Sequence, residues 1–159
     1  SSSSAASDVY KRQVYIRDGQ LAWTKVEEAP KIEIGLNEDL GGYVFFISPS
    51  GLHGLVAATQ DQSKESSWNN AFGLINNSAN HNAVGANFTD WRLPTKDELN
   101  MMYLLKDEIG GFVTNYYWSS TEYDGWSAAW IQYFGSGRLG GHQGGGDGFG
   151  YSVRAVRAF

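Results

Sequence analysis

The side chains able to do chemistry are few and scattered along the chain. His53, His81 and His142 show no HxH or HxxxH spacing, so no two imidazoles are set on one strand face or one helical turn to share a metal ion. There is no cysteine, which removes disulfides, thiolate metal sites and cysteine nucleophiles together. Ser119 and Ser120 stand in YWSST with neither a GxSxG elbow nor a nearby histidine to take a proton. Asp97 and Glu98 are neighbours in TKDEL, where the helix-start reading accounts for both. GGHQGGGDG is rich in backbone amides but lacks the GK[ST] ending and the strand-to-helix context that would aim them at a phosphate. With no acid, base or nucleophile constellation left, the expectation is a protein that is not an enzyme, with no metal and no cofactor.

Composition narrows the class further. The 159 residues are 42% hydrophobic and 14% aromatic, with six Trp and nine Tyr, which fits one globular domain with a sizeable core. The formal charge of −5 and the lack of a basic block argue against a nucleic-acid-binding face. No apolar run approaches the ~20 residues that span a bilayer, so direct membrane insertion is not expected. The start shows no basic-then-apolar secretion signal. SSSSAASDVYKRQ, residues 1–13, reads as a polar, disordered tail or assembly scar, leaving 14–159 as a single domain.

Most of the elements that would carry a site are strands. Val14 to Trp23 predicts a hairpin reversing at Asp18-Gly19. Tyr43 to Ile47 and Leu52 to Ala58 predict two more strands around a Ser-Pro-Ser-Gly turn. Trp68 to Phe88 suggests a short helix, with Ala71, Leu74 and Ile75 on one face, followed by a loop. Thr95-Lys96-Asp97-Glu98 is a capping box, Gly110-Gly111 a stop, and Leu99, Met102 and Tyr103 an apolar face, which places a helix over about Thr95 to Asp107. Tyr116 to Glu122, Ala128 to Phe134 and Ser152 to Phe159 complete the strand set, giving an α+β domain of short antiparallel strands with one or two helices. In AAWIQYF, alternation puts Ala128, Trp130, Gln132 and Phe134 on one face, expected to point inward, and Ile131 and Tyr133 on the other, expected to be exposed beside Arg138 and His142. Trp91, Arg92 and Trp118 read as frame residues, and Arg154 and Arg157 as partners of carboxylates or backbone carbonyls.

From Asp124 to Gly150 the chain is glycine-heavy and poor in side chains that could pack on one another. Such a segment reads as an irregular, solvent-facing surface held by a rigid frame, where residues can change without unfolding the protein.

The ordered set GGYVFFI, GLHGLVA, DWRLPTKDEL, YWSSTEY, AAWIQYF and VRAVRAF resembles a bacterial family with a C-type-lectin-like fold. Its domains occur at the ends of collagen-like adhesins and in surface lipoproteins. The tail is similar to the variable proteins of diversity-generating retroelements. In such systems, the resemblance implies, an adenine-mutagenic reverse transcriptase rewrites the 3′ end of the gene. Template Asn codons then become many residues but never Lys, Glu, Gln, Met or Trp. After Glu122 there is no Lys, Glu or Met, and Trp126, Trp130, Gln132 and Gln143 would have to be fixed by the template. The resemblance does not extend to calcium-dependent sugar binding, because the carboxylate-amide-Pro triplet and the Trp-Asn-Asp run of calcium-type lectins are missing. Formylglycine-generating oxidases share the broader fold but need a cysteine pair.

These readings together predict a ligand-binding domain of receptor or adhesin type with a variable region at about 124–150. The candidate contact residues are Asp124, Gly125, Trp126, Ser127, Ile131, Tyr133, Gly135, Ser136, Arg138, Gly140, His142, Gly144, Asp147 and Phe149. The partner would be a protein or glycan on a cell or particle surface, and the location a bacterial cell surface or a phage virion. An ordinary adhesin or surface-lipoprotein domain of fixed specificity is the alternative.

Overall fold

The computed structural model describes residues 11–17, 20–25, 31–124, 128–143 and 150–159. It divides into two compact units, Ser1–Lys31 and Ile32–Phe159. In the first, β1 (Lys11–Arg17) and β2 (Gln20–Lys25) form an antiparallel hairpin from Lys11↔Lys25 to Arg17↔Gln20, with a register shift between Gln13 and Tyr15. The Asp18-Gly19 reversal predicted from sequence lies outside the described residues, and the pairing starts inside the stretch read as a tail.

The second unit begins with β3 (Gly35–Asn37), β4 (Gly42–Ile47), β5 (Gly54–Ala57) and β6 (Ser63–Ser66). The helices α1 (Trp68–Asn76), α2 (Lys96–Leu104) and α3 (Lys106–Ile109) follow. It ends with β7 (Tyr116–Tyr123), β8 (Ala128–Tyr133), β9 (Leu139–Gln143), β10 (Tyr151–Val153) and β11 (Val156–Ala158). Its strands pair in the orders β6-β10-β7-β8-β9 and β11-β5-β4-β3, an α+β arrangement.

The helix signals act as read. Thr95 caps α2 by accepting from the Glu98 N–H, while the Glu98 carboxylate accepts from the Thr95 N–H at 2.7 Å. Leu99 and Met102 are fully buried, and Gly110, at φ 75°, ends α3. The predicted single helix is interrupted at Leu105, whose φ −107° and ψ 17° leave α-helical geometry. In α1, Ser67 caps the start and Ala71 and Ile75 are buried.

Two expectations give way to tertiary pairing. The final segment is two strands in two sheets, with Arg154 and Ala155 between them. The fully buried guanidinium of Arg154 holds the crossing by donating to Asp61 at 2.7 Å and to the carbonyls of Ala58, Gly110 and Gly111 at 2.9, 3.1 and 2.6 Å. Glycine-rich Leu139–Gln143, read as irregular loop, is β9, antiparallel to β8. Ladder hydrogen bonds come from the backbone, so a neighbouring strand can recruit a segment that its side chains would not mark.

β7 and β8 are packed on both faces. Tyr117 and Phe134 belong to one apolar cluster with Leu99, Met102, Ile109 and Val156. Trp118, Ala129 and Ile131 belong to another, with Val44, Val56, Trp91 and Val153.

Candidate functional site

The described part of the stretch expected to vary, 124–150, is built mainly on β8, β9 and the turn between them. Two partners brace the turn. Gly137 N–H donates to Tyr133 O at 2.7 Å, and the fully buried Gln132 amide reaches both Gly137 O at 3.2 Å and Asn100 Oδ1 of α2 at 2.8 Å. Gln132 therefore ties the turn to the helix beneath it. Its Oε1 has no partner among the described residues, a desolvation cost incurred in the frame rather than at the surface. Gly137 has φ 80°, and a Cβ there would strike the ring of Tyr103, so this position is confined to glycine by both backbone and space.

Trp130, expected to be buried, is only half-buried on the α2 side, with Lys96 Nζ 3.8 Å from its ring centroid and Tyr123 edge-on at 4.7 Å. Phe134 is buried, as expected. Ile131 is not exposed: at 4% it belongs to the core with Trp118 and Ala129, which corrects the expected facing of β8. Strand alternation separates the two faces correctly, but alternation alone does not reveal that a second layer covers the other one.

Tyr133 remains half-exposed, and its neighbours were not foreseen. Its ring centroid lies 4.9 Å from that of Tyr116, Tyr116 lies 5.2 Å from Tyr151, and Tyr151 lies 5.1 Å from His142. All four side chains are half-exposed and form a continuous aromatic band, with the buried Trp118 4.9 Å from Tyr151. Burial, reinforced by the neighbouring Tyr116, raises the Tyr151 phenol above its ordinary pKa, so this phenol stays uncharged at neutral pH. The two-residue spacing of Tyr116 and Trp118 hints at one aromatic face, but Tyr151 joins only through the parallel pairing of β10 with β7. Tyr133 and His142 are thus linked through Tyr116 and Tyr151.

Ser136 and Arg138 are exposed, and Arg138 makes no ion pair among the described residues. Gly140 has open space where a Cβ would be, which suits a position free to vary. Gly135 is more constrained, because a Cβ would meet the Tyr133 ring at 2.5 Å and Thr114 Cγ2 at 3.0 Å. Asp124 is exposed with φ 51°, a left-handed conformation that Asp, Asn and Gly tolerate best. Gly125, Trp126, Ser127, Gly144, Asp147 and Phe149 lie outside the described residues.

The groups weighed for catalysis are occupied structurally. Ser119 is fully buried and donates to Trp130 O at 2.8 Å. His81 is buried, stacked on Trp91 at 5.1 Å, with Nε2 2.7 Å from Ile75 O. Glu98 serves the α2 cap and a bidentate pair with Arg92. Among the described residues no three His, Asp or Glu side chains gather as a metal site would need. Arg157 chelates Asp90 at 2.7 and 3.1 Å and, like Arg154, acts as a fastener of the frame. No helix among the described residues is long and apolar enough to cross a membrane.

A search of curated proteins finds no match. The family model described as the Lcl C-terminal domain covers residues 12–157, nearly the whole chain and both ends of the site just described. That reach supports a variable, adhesin-type ligand-binding domain, and the chain belongs to the Lcl C-terminal domain family.

Proposed function

We propose that this chain is a non-enzymatic receptor or adhesin domain with a C-type-lectin-like fold, whose β8–β9 surface is diversified by a retroelement. The observation that carries the reading is the division of labour around β8. Gln132, whose codon adenine mutagenesis of an Asn template cannot produce, is fully buried and braces the turn. The positions such mutagenesis can reach include exposed Ser136 and Arg138, open Gly140 and half-exposed Tyr133. Aromatic rings beside adaptable polar side chains are a composition suited to recognition, since rigid rings supply contact area at little entropy cost. Asp124 adds to this, because an Asn template codon there would encode a residue suited to its left-handed backbone.

The partner would be a protein or glycan on a cell or particle surface, and the domain would sit on a bacterial envelope or a phage particle. The test is genomic. A reverse-transcriptase gene beside this one, with a template repeat that differs from codons 124–150 only at adenines, is the expected result. An invariant 3′ end across isolates, with no such repeat, would leave the fixed-specificity adhesin reading in its place.

A further inference from the structure

The sheets of the second unit end in four edge strands, and three of these are blunted. β6 reads SKES, carries two charges and has a register shift against β10. β3 has only three residues. β11 is bridged by Arg92, which exchanges backbone hydrogen bonds of 2.9 Å with Val156 in both directions. Among the described residues β9 has none of these protections: it is five residues, LGGHQ, with no Asp, Glu, Lys, Arg or Pro, and its pairing with β8 shows no register shift.

The ladder shows which backbone groups β9 presents. Arg138 O accepts from Tyr133 N–H at 2.9 Å, and antiparallel pairs alternate between bonded and non-bonded. Gly140 and His142 therefore bond to Ile131 and Ala129, while the N–H and C=O of Leu139 and Gly141 point away from β8. No hydrogen bond reaches these outward groups among the described residues. Gly140 has no neighbour where a side chain would stand, Leu139 is 37% exposed, and Arg138 offers a cation with no ion-pair partner among the described residues at the strand's entrance.

We propose that β9 binds an extended peptide segment of a protein partner as a sixth strand, with a carboxylate of that segment against Arg138. The outward amide and carbonyl groups supply a sequence-independent part of the affinity, and the variable side chains on either side select the sequence. The inference rests on the ligand-binding reading and names the class of partner.

The test uses the full chain and a displayed library of random dodecapeptides. Enriched peptides are expected to carry Asp or Glu. Methylating their backbone nitrogens at alternate positions should weaken binding at least tenfold in one phase of the alternation and leave the other within twofold. Leu139→Pro removes an outward N–H but no β8 ladder bond, so it should weaken binding at least tenfold with an unchanged far-UV circular dichroism spectrum. Arg138→Glu should reverse the preference for acidic peptides. Two results would overturn strand addition: no enrichment over an unrelated protein, or peptides that tolerate methylation in both phases. Self-association lost in Leu139→Pro would instead identify a second copy as the occupant and equally overturn the peptide assignment. The ligand-binding reading itself stands if folded partners selected on the chain depend on Tyr133, Ser136 and Arg138 while ignoring Leu139→Pro, so the two failures are distinguishable.

Discussion

Replacing Ile131 and Arg138 one at a time separates frame from display surface. Both codons are within reach of the proposed mutagenesis, yet Ile131 is 4% exposed in the core with Trp118 and Ala129, while Arg138 is exposed and without an ion pair among the described residues. Ile131→Ala deletes buried carbons worth ~0.8 kcal/mol each by transfer alone, about 2–3 kcal/mol before the cavity they leave is counted. With the cavity, the cost is about 2–5 kcal/mol. Against a total of roughly 5–15 kcal/mol for a domain, that is a large fraction. At about 2–4 °C per kcal/mol, the melting temperature should fall by roughly 5–20 °C. Arg138→Ala should stay within about 0.5 kcal/mol, or under about 2 °C. Urea titration and thermal melts of the purified variants measure both. An Ile131→Ala cost below about 0.5 kcal/mol would refute the assignment of β8 to a doubly covered sheet. An Arg138→Ala cost above about 2 kcal/mol would refute the view that this surface can vary without weakening the body.

Further outcomes follow from the same frame. Arg154→Met strands the buried Asp61 carboxylate and should cost about 3–5 kcal/mol, whereas Arg154→Met with Asp61→Asn should cost less than the sum of the singles, which a double-mutant cycle in urea reads directly. Gly141→Ala pushes a Cβ into the Tyr123 ring and should cost about 1–3 kcal/mol, while Gly140→Ala, with open space, should be within about 0.5 kcal/mol; equal melting temperatures would contradict the β8–β9 register. The Arg157 hydrogen bonds, partly opposed by burial, hold the Asp90 carboxyl below its ordinary value. Its folded pKa is thus lower than its unfolded one, so its stabilisation is present above the usual carboxylate range and fades as pH falls through the lowered folded value. The urea midpoint advantage of the native chain over Asp90→Asn should accordingly shrink on acidification, and an advantage that grew would reverse the sign of the argument. Thr95→Ala removes the α2 cap and should cost about 0.5–2 kcal/mol in a thermal melt, with an unchanged melting temperature as the contrary result.

The sequence by itself determined what is decided within a few residues. The α2 capping box at Thr95 and Glu98, the Gly110 stop and the turn at Ser48 to Gly51 rest on local hydrogen bonds and local backbone geometry, which neighbouring residues suffice to specify. The absence of a cysteine is likewise a property of the chain, and the strand periodicity of β7 and β8 follows from alternation. Tertiary structure decided what depends on partners far along the chain. Ile131 is buried because both faces of its sheet are covered, LGGHQ is a strand because β8 offers it a ladder, and the last segment divides because Arg154 is held by Asp61, 93 residues away. The aromatic band belongs to the same class. Tyr116, Tyr133, Tyr151 and His142 come from four strands, and only the pairing order of the sheet sets their rings side by side.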